Sequence, residues 1–594
     1  MRICIDYLPD IQSAFIKVED TNSPAWQTLC AIAQDDVPSS SISAGSLFMP
    51  WSAFLAFRTS FATVAIRMYN ATFQMSERAA ERFKNIRDIS YQANILKEAT
   101  PYTTLLSRLR DVGFIRELTQ EQKRNVSRLT AFSAGASFSV PGAGKTTEAL
   151  AYFFFHAEPS DMLLVVAPKN AFSAWDEQLI CCVNTNDFFV RLRAGESNIQ
   201  SLLEQKPRYS IITYGQFSRA QNAINAFLAR NKVFMFLDES HRIKRGIGGV
   251  TAEAILKTAY LPYKKLILSG TPMPQAVKDL EPQFSFLYPD VALRDDNVSE
   301  LMHPIYVRTT KEEIGLPPPI RKTILLSLTQ KQQIFYQLLR SETQRVLLDI
   351  PRRDRNRMRR IGKSIIKIMQ FVSNPALLAK DITNNFSEEL SKLLVTDNSV
   401  KVDYACKRAR QLAKENKKTI IWTSFVENVE LIAFRLSDIG ADYIHGGVDA
   451  GDEDDFDTRE GKIKRFHQDQ SAMVLVANPA AAAEGISLHT ICHHAIYVDR
   501  SFNAAQYLQS EDRIHRLGLQ KDIETNIELL ECRDTIDSLI TARLNEKVQR
   551  MSVVLNDPSL NILADIDTDE DDIMGMDDRD VETILAYFCG GGHD

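Results

Sequence analysis

Two series of short apolar segments, spaced by stretches long enough for a helix, limit this chain to few folds. The first series reads "ASFSV", "MLLVVAP", "YSIITY", "VFMFLDE" and "KLILSG" between residues 136 and 270. The second reads "KTIIWTS", "ADYIHG", "AMVLVANP" and "HAIYVD" between residues 418 and 499. Apolar runs of this length are strands buried on both faces, and helix-length spacers connect such strands in parallel. The expected class is α/β, with two parallel-sheet lobes.

Around these lobes the chain divides by pattern. Residues 1–115 combine a strand pair ("RICIDYL", "SAFIKVED") with helical patterning in "MPWSAFLAFRTSFATVAIRM" and a capped helix starting at Ser76. They form a small α+β accessory module without a chemical motif. Residues 116–300 are the first lobe and 301–395 a helical linker or insertion, entered through the helix-breaking "LPPPI". Residues 396–547 are the second lobe and 548–594 an acidic tail, expected to be flexible apart from "VETILAYF", which could dock as a short helix. A length of 594 residues suits about three or four domains.

Composition excludes several classes. With 44% hydrophobic and 25% charged residues the chain is globular, and no apolar run is long enough to span a bilayer. "MRICIDYLPD" reaches Asp6 before a signal-like segment develops, so no secretion signal is expected. Eight cysteines without a C-x-x-C pair argue against a zinc ribbon and suit a reducing cytoplasm, with Cys181 and Cys182 read as packing residues. The net charge of -6 is dominated by one end, at Asp565, Asp567, Asp569, Glu570, Asp571, Asp572, Asp577, Asp578 and Asp580. Any nucleic-acid site is therefore a local patch on a more basic body. Arg352, Arg353, Arg355, Arg357, Arg359 and Arg360 are a candidate grip for DNA, against the alternative of a solvated helix face.

Three motifs carry chemistry. In "SVPGAGKTT" a glycine-rich turn lies between a strand and a helix. Pro141 and the backbone amides of Gly142, Ala143 and Gly144 would frame a nucleotide's phosphates, with Lys145 on the β/γ-phosphates and Thr146 on Mg²⁺, followed by Thr147. Ser139 stands where the strict pattern has glycine. "VFMFLDESH" ends a buried strand in Asp238 and Glu239, at the sheet edge where α/β proteins bind ligands. Asp238 suits Mg²⁺, and Glu239 suits polarising the attacking water. In "QSEDRIHRLG", a helix would put Arg513 and Arg516 on one face, aimed at one phosphate group.

The order of these motifs resembles the Swi/Snf family of helicase-like DNA translocases in helicase superfamily two, over roughly residues 116 to 547. "LTQEQ" resembles the entry motif, which implies Gln122 near the adenine. "APKNAFSAW", "ITYGQF" and "DESHRIKR" resemble the next motifs, and "LILSGTPMPQ" the coupling motif with Ser269, Gly270 and Thr271. "RTTKEEIGLPPP", "FVSNPALL" and "SVKVDYA" resemble bridging segments, "AAAEGISL" and "QSEDRIHRLGLQ" the last two motifs, and "CRDTIDSLI" the closing one. Departures are Ala482 and Ala483 in place of two glycines, Phe502 and Ala504 flanking Asn503, and "GLQ" for "GQ". The resemblance implies RecA-like lobes and ATP with Mg²⁺ as cofactors. It also implies sequence-nonspecific tracking on duplex DNA, with candidate contacts at Lys169, Asn170, Thr213, Tyr214 and Ser424. A protein partner would dock on residues 1–115 or the acidic tail. An RNA helicase and a nucleotide-gated regulatory subunit of a nuclease complex are the alternatives. The compact design resembles bacterial or phage members, which implies antiviral defence first and DNA repair second.

Overall fold

The computed structural model describes the chain except residues 9–12, 38–39, 81–90, 274–275, 294–296, 350–356, 379–398, 450–454, 456, 483–487, 517–518, 520–522, 556–575, 577 and 590–594. It divides into two compact units. One comprises Met1–Ser139, Gly144–Ser269 and Val277–Thr309, the other Val140–Ala143, Gly270–Ala276 and Thr310–Asp594.

The first unit opens with a five-stranded sheet in the order β3-β4-β2-β1-β5. Its strands are β1 (Arg2–Leu8), β2 (Ser13–Val18), β3 (Ser41–Ser43), β4 (Ser46–Pro50) and β5 (Thr72–Met75). The expected pair β1 and β2 is antiparallel, with Ile5 opposite Ile16. Alternation along both strands sends Ile3, Ile5, Ala14 and Ile16 to one face, where Trp26, Trp51 and Phe54 cover them. The Ser76 hydroxyl accepts from Ala79 N at 3.1 Å, as a helix cap requires. This module packs on the lobe behind it. Arg58 pairs with Asp290 and lies 4.2 Å over the Tyr260 ring.

The lobe itself is a parallel seven-stranded sheet in the order β12-β6-β11-β10-β7-β9-β8. Its strands are β6 (Ala134–Ser137), β7 (Met162–Val166), β8 (Val190–Leu192), β9 (Tyr209–Ile212), β10 (Val233–Asp238), β11 (Lys264–Leu268) and β12 (Tyr306–Val307). All five expected strands are present. β8 and β12, with three and two residues, are too short to give a periodic signal. Leu163, Val165, Phe234, Phe236, Leu266 and Leu268 are buried against the helix Lys145–His156. Because every strand is parallel, β6, β11 and β10 end side by side at one edge.

The second unit holds a parallel six-stranded sheet in the order β13-β18-β17-β14-β16-β15. Its strands are β13 (Ile320–Leu326), β14 (Thr419–Trp422), β15 (Asp442–Ile444), β16 (Val474–Ala477), β17 (His494–Tyr497) and β18 (Asn526–Cys532). Here the expected boundaries need correction. Residues 320–326, assigned to the helical linker, are an edge strand paired in register with all of β18. Exposure along β13 alternates because one side lies open, so its sequence lacks the apolar run of a central strand. The helices Gln330–Asp349 and Arg357–Ser373 supply the helical part of that segment. Arg352, Arg353 and Arg355 lie outside the described residues.

In the tail the helix expected at "VETILAYF" is present, and the helix before it is longer than expected. The helix Ile536–Val554 runs past residue 547, and the helix Asp578–Cys589 docks on it through Asp580. Asp580 is fully buried and accepts from Arg543 Nε at 2.6 Å and Lys547 Nζ at 2.5 Å. Arg543 and Lys547 are themselves 2% and 4% exposed; Arg543 also pairs with Glu546 and Lys547 also donates to Phe502 O, but Asp580 is the carboxylate they share. The other acidic residues, from Asp565 to Asp572, lie outside the described residues. Removing one partner of a buried pair costs about 3–5 kcal/mol, because the other charge stays dry and uncompensated. Asp580→Ala, and equally truncation after Asp557, is expected to lower the urea unfolding midpoint of the full chain. An unchanged midpoint would show that the two cations find other partners.

Candidate active site

At the end of β6 the chain turns through Gly142 and Gly144, with φ of 87° and 88°, a region that favours glycine. Gly144 is the N-cap of the helix Lys145–His156, so the turn lies at a helix N-terminus, where the positive end of the helix dipole favours an anion. Gly144 is required on a second ground. A Cβ there would stand 2.3 Å from Gln122 Nε2. Gln122 closes a capping box with Thr119 on the helix Gln120–Leu129, and packs beneath the loop. Lys145 Nζ donates to Ser139 O at 2.8 Å. Thr146 is half-buried beside it, whereas Thr147 is buried and its hydroxyl donates to Gln178 Oε1 at 2.9 Å.

Two strands away, β10 ends in Asp238. Its Oδ2 accepts from Trp175 Nε1 at 2.9 Å and its Oδ1 from Glu239 N at 3.0 Å. Burial pushes the Asp238 carboxyl above its usual range, while Trp175, Lys145 and Arg242 favour the ionised form. Glu239 turns the chain with φ 52°, an uncommon value for a residue with a Cβ and one that costs of order 1–3 kcal/mol. His241 Nδ1 lies 3.5 Å from Glu239 Oε2 and 3.1 Å from Ser269 Oγ at the end of β11. Burial and the cations Arg242, Lys244 and Lys145 hold its pKa well below the usual value, so the imidazole is neutral. The contact with Glu239 is thus a polar bridge to β11 rather than an ion pair.

Trp175 escaped notice as an individual residue, although its segment "APKNAFSAW" was singled out. An indole near a motif reads as packing until the fold places a carboxylate on its N–H. Tyr214 is buried, and its hydroxyl donates to Asp238 O at 2.8 Å. Thr213 caps the helix Tyr214–Arg219 through Gln216 N. Lys169 is exposed, and Asn170 follows it in the short helix Lys169–Ala171.

In the second unit the helix Ala504–Asp512 ends before Arg513, so the two arginines do not share a helical face. Ile514 N and His515 N both return to Glu511 O, which tightens the last turn, and the chain then leaves the helix. Buried side chains hold that turn. Glu511 accepts from Arg321 at 2.9 and 2.7 Å, Asp512 pairs with Lys311, and His515 Nε2 meets Pro317 O at 2.6 Å. Arg513 and Arg516 are half-buried beyond it. Asp499, just beyond β17, accepts from Ser373, from Thr423 Oγ1 at 2.7 Å and from Ser424 N at 2.7 Å. Lys401 and Asp537 form a buried pair at 2.7 Å. Most of "AAAEGISL" lies outside the described residues.

Residues 125–297 match the SNF2-related domain, and residues 401–518 the helicase conserved C-terminal domain. These are the two domains of the Swi/Snf-type helicase-like ATPases, the family that the chain resembles. Among curated relatives, the DNA annealing helicase and endonuclease ZRANB3 of Mus musculus is 22% identical over 70% of this chain and 38% of its own length. The putative ATP-dependent helicase/translocase YwqA of Bacillus subtilis is 22% identical over 72% of this chain and 47% of its own. The chain thus spans less than half the length of either. Among solved structures, the Sulfolobus solfataricus SWI2/SNF2 ATPase core in complex with double-stranded DNA is 18% identical, covers 75% of this chain and 95% of itself, and has a TM-score of 0.32. ATP use follows from the family.

The residues present fit a nucleoside triphosphate. A glycine-rich turn at a helix N-terminus, a lysine on the Ser139 carbonyl, and a desolvated carboxylate within its field suit a polyanion carrying a divalent cation. Trp175 is expected to tune Asp238. Losing its N–H removes a bond that favours the carboxylate, so the Asp238 pKa rises further. In Trp175→Phe the acid limb of kcat/KM against pH should therefore move to higher pH, and an unmoved limb would exclude this coupling.

Proposed function

We propose that this ATPase is stimulated by DNA, and that hydrolysis drives sequence-nonspecific movement along duplex DNA that remodels DNA or protein–DNA complexes. The observation that carries the reading is that Lys145, Asp238 and Glu239 lie at one edge of a single parallel sheet, after β6 and β10. The match to the helicase conserved C-terminal domain includes Arg513 and Arg516. Lys145 would turn from Ser139 O to the β/γ-phosphates, and the amides from Gly142 to Gly144, after Pro141, would line the remaining oxygens. Thr146 and Asp238 would hold Mg²⁺, which supplies charge neutralisation on the phosphates when bound. Glu239, fixed near neutral His241, would orient the attacking water and take its proton. Arg513 and Arg516 would neutralise charge developing on the transferred group, as fingers from the second lobe.

Named relatives that act as DNA helicases and translocases support DNA over RNA as the track. Lys169 and Ser424 are the phosphate contacts proposed first. The pathway proposed is antiviral defence or DNA repair in a cytoplasm. Residues 1–115 would dock any protein partner. Among the described residues no helix is long and apolar enough to cross a membrane.

Four substitutions separate the roles. Lys145→Ala should abolish tight ATP binding, whereas Glu239→Gln should keep binding and block turnover. Arg513→Ala and Arg516→Ala should spare nucleotide affinity and collapse stimulated turnover, since such a finger contributes about 10³–10⁵ in rate. Lysine should rescue poorly for want of a planar donor fork. The measurement is ATP turnover beside nucleotide affinity, with duplex, forked and single-stranded DNA and with RNA. Stimulation by RNA alone would replace the reading with an RNA helicase. Stimulation by no nucleic acid would favour a nucleotide-gated subunit.

A further inference from the structure

The phosphate loop is clasped at its start by the residues through which the chain leaves the first unit. Phe138 N donates to Val307 O at 2.8 Å, Arg308 donates to Phe138 O, and Thr309 N donates to Ser139 Oγ at 3.1 Å. Thr309 is the last residue of that unit. Asn125 Nδ2 lies 2.8 Å from Thr309 Oγ1, 3.3 Å from Ser139 Oγ and 2.7 Å from Glu148 Oε1. Ser137 Oγ donates to Glu148 Oε2 at 2.7 Å, and Arg124 Nη2 donates to Arg308 O at 2.7 Å. Asn125, Ser137, Ser139, Glu148 and Thr309 are each at most 1% exposed.

A dry, mutually bonded network of this kind holds one arrangement strongly, because a partner lost is not replaced by water. It also explains why serine can stand where a phosphate loop has glycine. The hydroxyl of Ser139 is consumed by Thr309 and Asn125, away from the ligand side. Its carbonyl carries the Lys145 ammonium at 2.8 Å. A phosphate would compete with that carbonyl for the Lys145 ammonium, so loading the loop would act on the residue to which Thr309 is bonded. We propose that Thr309, held through Ser139 and Asn125, is a positioning residue that conveys loading of the phosphate loop to the point where the chain crosses into the second unit.

This proposal rests on the DNA-stimulated reading above, and the test separates the two. Thr309→Val keeps shape and the backbone N–H bonded to Ser139 Oγ and removes only the hydroxyl that Asn125 holds, while Thr309→Ser restores it. Thr309→Val is expected to melt somewhat lower for the lost buried bond, yet to keep its affinity for a fluorescent ATP analogue and its DNA-free turnover. Its DNA-stimulated kcat should fall about tenfold with KM for ATP unchanged, within the usual range of coupling between sites. Thr309→Ser should regain stimulation. Full stimulation in Thr309→Val, or an equal loss of ATP affinity, overturns the proposal while leaving the functional reading intact. A wild type that no nucleic acid stimulates sinks the functional reading instead. A second measurement then judges the link by itself: amide exchange across residues 306–311 of the wild type, with and without a non-hydrolysable ATP analogue. Added protection there supports the link, and unchanged exchange overturns it.

Discussion

The first lobe depends on the parallel pairing of β6, β11 and β10. Parallel neighbours must end at the same edge, so the loop after β6, Ser269 after β11 and Asp238 at the end of β10 arrive together whatever the spacing between them in the chain. The strands are buried on both faces and cannot slide without burying polar ends. That rigidity allows the edge to carry a strained Glu239 and a desolvated Asp238, both of which a looser scaffold would relax.

The surroundings of that edge show how its charges are tolerated. Asp238 is dry, yet Trp175, Glu239 N and the field of Lys145 support its ionised form. His241 is dry and neutral, and so adds no competing cation. Glu148, behind the loop, is also dry, and burial pushes its carboxyl up to about 7 despite bonds from Ser137 and Asn125. The second unit applies the same logic with complete pairs, Arg321 with Glu511, Lys401 with Asp537, and Asp580 with Arg543 and Lys547. Such pairs add little net stability over apolar packing, but each penalises any arrangement that separates its members.

Much of this was legible in advance where local pattern and local structure coincide. Buried central strands announce themselves as unbroken apolar runs, and all nine that were expected are present. The phosphate loop is legible because glycine, lysine and threonine must follow a strand within a few residues. β13 was not legible, because an edge strand open on one side shares its alternating pattern with ordinary surface segments. The face shared by Arg513 and Arg516 was misjudged because the helix ends for tertiary reasons. Arg321, Lys311 and Pro317, nearly two hundred residues upstream, engage its last turn.

By itself the sequence determined the parallel α/β class, the place of the phosphate loop and the carboxylates at a strand end, since each depends on residues close in the chain. Only the tertiary structure decided the partners: Trp175 on Asp238, Thr309 on Ser139, Asp499 on Ser424, and Asp580 on two buried cations. Those bonds join residues 63, 170, 75 and, for the Arg543 and Lys547 partners, 37 and 33 positions apart. No local preference records them. They exist because burial removes water as the alternative partner, and a dry polar group must then take whichever complementary group the fold brings within reach.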